Sequence, residues 1–180
     1  MSVLIAIGVL VLVLVLIDLA LTIGIIRKLR TSAAASRQDS APRVGLRVDL
    51  TKDAKPWPAE VLGMMSGISL AVFVLPGCPG CDQLRDELQT AGGLDVPMYL
   101  IGDPLAEGND EYFGTWPAAD VRVLAPVPVH DLNSFEHPDT FPSIALLQDG
   151  VVVASGHKLA DVSGRVHDLL SLAAEQRVAR

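Results

Sequence analysis

The chain has 180 residues, half of them hydrophobic, and a formal net charge of −7. This length fits one domain with an appendage. Between Asp82 and Asp149 the sequence holds 2 Lys and Arg residues against 13 Asp and Glu, a net charge of −11. Such a surface would repel nucleic acid and anionic lipid headgroups. We therefore expect no nucleic-acid partner.

The first predicted element is an apolar run over residues 3–26, whose 24 residues include one charge, Asp18. As a helix it would span roughly 36 Å, enough for a bilayer core of about 30 Å. A cleaved signal peptide is the alternative, with Ala33-Ala34-Ala35 as small residues for cleavage. The run is too long for that, and nothing basic precedes it. The sequence predicts a single-pass transmembrane anchor in which the role of Asp18 stays open.

Residues 27–43 are predicted to form a basic, flexible tether, and residues 44–180 one α/β domain. Strands are predicted over 44–50, 68–75, 96–101 and 121–124. Asp149-Gly150 predicts a hairpin that joins strands over 143–148 and 151–155. Helices are predicted over 79–90 and 161–176, and residues 103–116 are ambiguous. This order fits a central mixed sheet with helices on both faces.

The two cysteines of the chain, Cys78 and Cys81, lie between an apolar strand and a helical pattern. A C-x-x-C at a strand–helix junction is typical of a thiol–disulfide redox site. Pro79 suits the first turn of the helix. Cys78 would lie at the helix N-terminus, where free amides and the helix dipole favour negative charge, so we predict it to be the nucleophile. Cys81, one turn further, is predicted to resolve the mixed disulfide.

A purely structural role for the cysteine pair is less favoured by the sequence. A structural zinc site needs four ligands, and the histidines at 130, 137, 157 and 167 show no ligand spacing. Two unrelated core cysteines are common enough in proteins, but their placement at this junction would be a coincidence. We expect neither a metal nor a cofactor.

Three features together resemble thioredoxin-fold proteins over roughly residues 44–176. They are the strand that ends in Cys78-Pro79-Gly80-Cys81, the later Thr140-Phe141-Pro142 before a strand, and the final hairpin and helix. The resemblance implies a thioredoxin-like three-layer sandwich with a central mixed sheet. It also implies a cis Phe141–Pro142 bond beside the redox pair, with Phe141 and Pro142 binding substrate.

The anchored layout and the active-site segment over residues 73–81 are similar to the TlpA-like and MauD-like branch of that fold. The chain departs from thioredoxins in two places. Gly77 stands where thioredoxins have Trp before the first cysteine, and Val72 stands where they have a buried acid. The resemblance therefore implies the exchange chemistry but not the redox poise or the choice of partner.

The sequence thus predicts a membrane-anchored thiol–disulfide oxidoreductase. Its expected partners are protein thiols and disulfides, the lipid bilayer and a membrane redox partner. Four basic residues that follow the span favour a cytoplasmic domain, whereas the resemblance favours an extracytoplasmic one, where disulfides persist. The alternative function is a non-enzymatic, tethered interaction module whose cysteines form a static disulfide.

Overall fold

The computed structural model describes residues 41–116 and 119–178. The predicted transmembrane helix over residues 3–26 lies outside these ranges. Among the helices in the described ranges, none combines the length and apolar character that crossing a bilayer requires.

A five-stranded mixed sheet forms the centre of the domain, with the strand order β3-β2-β1-β4-β5. Neighbouring pairs β1–β2 and β2–β3 are parallel, whereas β1–β4 and β4–β5 are antiparallel. The sequence prediction of a mixed sheet is confirmed. The strands are β1 (Ile68–Val74), β2 (Met98–Gly102), β3 (Val121–Leu124), β4 (Ser143–Gln148) and β5 (Val151–Gly156).

Strand β1 occupies the middle of this sheet because nearly all of its residues are apolar and can be covered on both faces. Its residues from Ser69 to Val74 are all buried. Val72 pairs with Leu100 of β2 on one side and with Ile144 of β4 on the other. The chain therefore reaches Cys78 from a buried strand that is paired on both sides.

Three α-helices follow in chain order: α1 (Pro79–Thr90), α2 (Asn109–Gly114) and α3 (Leu159–Val178). All three contribute to the apolar cluster on one face of the sheet. Leu84 and Leu88 of α1 and Val162 and Val166 of α3 are buried there. The spacing of four residues in each pair places both side chains on one side of the helix.

Among the described residues, the opposite face of the sheet carries 3-10 helices and no α-helix, so helices lie on both faces as predicted but are of the shorter kind on this one. A 3-10 helix over Ala59–Met65 and short 3-10 turns over Val129–Asp131 and Asn133–Phe135 cover it instead. Pro58 and Pro128 immediately precede two of these segments. Proline suits this position because the amides at the start of a helical segment have no partner within it.

The predicted strand over residues 44–50 is also wrong. Gly45 has a left-handed φ of +90°, which breaks the extended conformation. Only Arg47 forms an isolated bridge, to Val151. The segment nevertheless lies along the free edge of β5, since the amide of Gly45 donates to the carbonyl of Val152 and the amide of Val48 to that of Gly150, each at 2.8 Å.

The remaining predicted elements agree with the structure to within a few residues. The bounds of α1, β3 and β4 match, β1 ends one residue earlier than predicted, and α3 extends by two residues at each end. Helix α2 lies inside the ambiguous stretch. It packs closely over the end of β2, where a side chain at Gly102 would overlap the ring of Phe113.

Candidate active site

Cys78 is the N-terminal cap of α1. Its backbone is extended, with φ −88° and ψ 110°, and its Sγ accepts a hydrogen bond of 3.2 Å from the amide of Cys81. The carbonyl of Cys78 accepts from the amides of Cys81 and Asp82 at 3.0 and 3.1 Å. Gly77, with φ +72°, makes the turn out of β1 that permits this geometry. Cys78 is half-buried and so accessible to a substrate sulfur.

Cys81 is fully buried on the α-helical face of the sheet. Burial raises the pKa of its thiol, and a hydrogen bond to the side chain of Cys78 raises it further. The backbone of Leu75 opposes this shift, whereas the charges of Cys78 and Asp82 add to it. Both cysteines are free thiols in the structure. The pair therefore consists of one accessible sulfur and one sheltered, protonated sulfur.

This raised pKa predicts that the reduced protein loses stability as the pH rises above about 9. In the unfolded chain Cys81 ionises near its ordinary value of 9.0, whereas in the folded chain it keeps its proton. Above that value the folded state binds more protons, so rising pH favours unfolding by about 1.4 kcal/mol per pH unit. Denaturant midpoints of the reduced protein over a pH series measure the effect.

The matched control for this prediction is Cys81→Ala. Tyr99 and Tyr112, whose pKa values are also raised from 10.0, remain in both proteins. The difference between the two pH profiles therefore reports Cys81 together with its influence on its charged neighbours. Parallel profiles above pH 9.0 would contradict the assignment of a buried, protonated thiol.

Pro142 lies against the C-x-x-C turn. The Phe141–Pro142 bond is cis, as the resemblance implied. A Cβ atom on Gly80 would lie 3.0 Å from Pro142 Cδ and 3.5 Å from the carbonyl oxygen of Phe141. Phe141 is half-buried and contacts the apolar clusters on both faces of the sheet. The fold thus brings the four site residues predicted from the sequence into one region.

The close approach of Gly80 to Pro142 makes a side chain at position 80 costly. We expect Gly80→Val to lower the free energy of unfolding by about 1–3 kcal/mol, because the new carbons must displace Pro142. The matched control is Gly164→Val, since a Cβ at Gly164 in α3 meets nothing within 4 Å. Denaturant unfolding of both variants measures the difference. Equal free energies of unfolding would mean that the Pro142 segment moves without cost, which would contradict the expectation.

Three residues near this site were not predicted from the sequence. Tyr112 and Trp116 come from α2 and the residues just after it, and both join the apolar cluster that contains Cys81. His157, which follows β5, has its Nδ1 at 2.6 Å from the carbonyl oxygen of Pro142. Because a carbonyl only accepts, Nδ1 carries the proton in this bond. No local sequence signal marks these positions, which reach the site through tertiary packing.

A groove of about 870 Å³ runs between α1 and α3 beside Pro79. Its acidic side chains are Asp82, Asp86 and Glu87, and Arg85 pairs with Asp82 at 3.1 Å. Within the described ranges, no three His, Cys, Asp or Glu side chains are grouped as a metal ion would require. The two thiols are the nucleophilic groups beside this groove.

Comparisons with known proteins add the fold but no family. No family model matches the chain, and no curated protein matches it. A solved structure described as "C-terminal domain of putative thiol-disulfide oxidoreductase from Bacteroides thetaiotaomicron" matches with a TM-score of 0.50 and 11% sequence identity. The match covers 72% of this chain and 97% of that chain. This likeness, together with the strand order of the sheet, gives the domain a thioredoxin-like fold.

Proposed function

We propose that this chain is a thiol–disulfide oxidoreductase that exchanges disulfides with protein substrates through Cys78 and Cys81. One observation carries the proposal. The accessible Sγ of Cys78 caps a helix N-terminus and accepts an amide hydrogen bond. Cys81 is buried one turn away and is hydrogen-bonded to Cys78. The exposed sulfur of Cys78 is suited to attack a substrate disulfide, and the buried sulfur of Cys81 is suited to resolve the mixed disulfide that results.

In the reductive direction, the Cys78 thiolate attacks one sulfur of a substrate disulfide, and the other substrate sulfur leaves as a thiolate. The thiolate of Cys81 then attacks the Cys78 sulfur. The bond between Cys78 and the substrate breaks, and the second substrate thiolate leaves. Two electrons have passed to the substrate, and both protein thiols have become one disulfide. The oxidative direction is the reverse of these steps, with a substrate dithiol as the electron donor.

The Phe141–Pro142 segment supports a role in substrate binding. It lies beside the redox turn, and Pro142 has no amide of its own. The backbone of the neighbouring residues can therefore pair with an extended substrate chain placed over Cys78. His157, bonded to the Pro142 carbonyl, holds that segment in position.

Trapping of covalent partners tests the proposed function. We expect Cys81→Ser to accumulate mixed disulfides with substrate proteins, because the first step proceeds and the second cannot. Non-reducing gels of cell lysates prepared by acid quenching and alkylation would show dithiothreitol-sensitive adducts. The matched control is Cys78→Ser, which should show none. A Cys81→Ser variant that traps nothing in the presence of excess substrate would contradict the proposal and favour the non-enzymatic interaction module.

The setting of the domain is part of the same proposal. Residues 3–26 anchor it to a membrane, a membrane redox partner exchanges electrons with it, and the chain belongs to the TlpA-like and MauD-like branch. The support is the apolar sequence of residues 3–26 and the similarity of residues 73–81 to that branch. The redox state of the cysteine pair in intact cells indicates the direction. A mainly reduced pair means a reductase. A mainly oxidised pair means an oxidant or a static disulfide, and a dithiothreitol chase distinguishes these two.

A further inference from the structure

Two polar atoms near the buried thiol have no hydrogen-bond partner. They are the hydroxyl oxygen of Tyr112 and the indole nitrogen of Trp116. The two rings meet edge to face, with their centroids 6.1 Å apart. A buried hydroxyl without a partner costs folding free energy, so its presence here needs a physical reason.

The hydroxyl of Tyr112 lies in the electrostatic field of the redox pair. Its side chain packs into the same apolar cluster as Cys78 and Cys81. Burial raises the pKa of Tyr112, and the charges that add to this shift are those of Cys81 first, then Asp82 and Cys78. The indole N–H of Trp116 lowers the pKa of Tyr112 and so opposes this shift, although the geometry between the two groups is not that of a hydrogen bond. The phenol therefore keeps its proton and can donate it in a hydrogen bond.

The position of Tyr112 is fixed by its neighbours rather than by a bond of its own. Arg85 of α1 donates to the hydroxyl of Thr115 at 3.1 Å and also pairs with Asp82, which ties the end of α2 to the redox helix. On the other side of α2, the ring of Phe113 lies directly over Gly102 of β2. Helix α2 thus holds an unpaired donor in the apolar cluster that contains Cys81.

Resolution of a mixed disulfide needs negative charge on Cys81, and its surroundings oppose that charge. Burial, the side chain of Cys78 and the charge of Asp82 all disfavour the thiolate, and the backbone of Leu75 offsets them only in part. Once Cys78 is bonded to a substrate, its sulfur no longer carries the charge that holds the proton on Cys81. The buried thiolate that then forms needs a hydrogen-bond donor.

We propose that the hydroxyl of Tyr112 is the donor that stabilises the Cys81 thiolate during resolution, an inference that rests on the proposed function. The proton of Cys81 passes to solvent, and Tyr112 keeps its own. The new bond joins Cys81 to Cys78, and the bond from Cys78 to the substrate breaks. The electron pair leaves with the substrate sulfur, which takes a proton from solvent.

The test uses the reduced full-length chain and an aromatic disulfide that releases a coloured thiolate. The first release reports attack by Cys78, and the second reports resolution by Cys81. We expect Tyr112→Phe to leave the first phase unchanged and to slow the second by about tenfold or more at neutral pH. The apparent pKa of the second phase should move upward. The matched control is Tyr99→Phe, which removes the same atom from the other tyrosine, on the opposite face of the sheet.

Two results would overturn this inference. One is a second-phase rate in Tyr112→Phe that lies within about twofold of the wild-type rate. The other is a second phase slowed equally in Tyr99→Phe. Thermal unfolding distinguishes this role from a purely structural one. Removing an unpaired hydroxyl should leave the reduced protein as stable as the wild type or more stable. If the wild type lacked the first phase, the proposed function itself would fail.

A second measurement keeps the inference testable in that case. The pH profile of Cys81 alkylation in a Cys78→Ala background reports the thiolate directly. Tyr112→Phe should shift that profile to higher pH, and an unshifted profile would also overturn the inference.

Discussion

Replacing Cys78 by serine is expected to lower the rate of thiol–disulfide exchange by about 10³-fold or more. An alcohol at the same helix N-terminus stays protonated at neutral pH and cannot form a disulfide. The loss should appear in the reduction of a model protein disulfide by dithiothreitol with the purified chain as catalyst. Because Cys78 is half-buried and caps α1 through its sulfur, the smaller serine oxygen can still cap the helix.

Cys81→Ser is the informative companion to this variant. It should keep the first chemical step and fail only at resolution, so turnover stops while a covalent adduct forms. If Cys78→Ser retained more than about a tenth of the wild-type rate, the assignment of Cys78 as nucleophile would be wrong.

Replacing Phe135 by alanine is expected to lower the free energy of unfolding by about 3–5 kcal/mol. The ring is fully buried on the face of the sheet that lacks α-helices. It meets Phe73 edge to face at a centroid distance of 4.8 Å and Trp57 at 6.2 Å. Removing it leaves a cavity under the central strand that leads to Cys78. Urea unfolding followed by tryptophan fluorescence measures the loss.

The control for the Phe135 variant is Leu62→Ala. Leu62 is 60% exposed, so its truncation should change the free energy of unfolding by only about 0.5 kcal/mol or less. Similar losses in the two variants would mean that the short turns over this face contribute little to the core. A natural domain is stable by only about 5–15 kcal/mol, so the expected loss at Phe135 is a large part of the total.

The elements that carry the redox pair could be predicted because their signals are local. An apolar run interrupted only by Ser69 marks β1, and Pro79 at one end with Gly92-Gly93 at the other marks α1. The predicted bounds of α1 match the structure. Such signals depend on backbone preferences within a few residues, so they can be interpreted without knowing the rest of the fold.

Helix α2 could not be predicted because it is short and is held by individual side-chain contacts rather than by an apolar stripe. Its six residues are too few for an apolar periodicity, and it begins after Gly108, whose φ is +78°. The side-chain amide of Asn109 donates to the carbonyls of Asp103 and Ala106, and Phe113 fills the space over Gly102. Tyr112 therefore reaches the redox pair by tertiary packing alone. The segment over residues 44–50 shows the converse, where an alternating pattern was outweighed by a left-handed glycine.

The chain that runs alongside β5 has a consequence for self-association. An unpaired outer strand exposes amides and carbonyls to which another molecule can add a strand, which is a common route to aggregation. Residues 45–48 already pair with the first part of the β5 edge, through hydrogen bonds to residues 150 and 152. The opposite border of the sheet is β3, which is four residues long and carries the exposed, charged Arg122. Within the described residues, β3 thus offers another copy of this domain only a short, charged edge on which to add a strand.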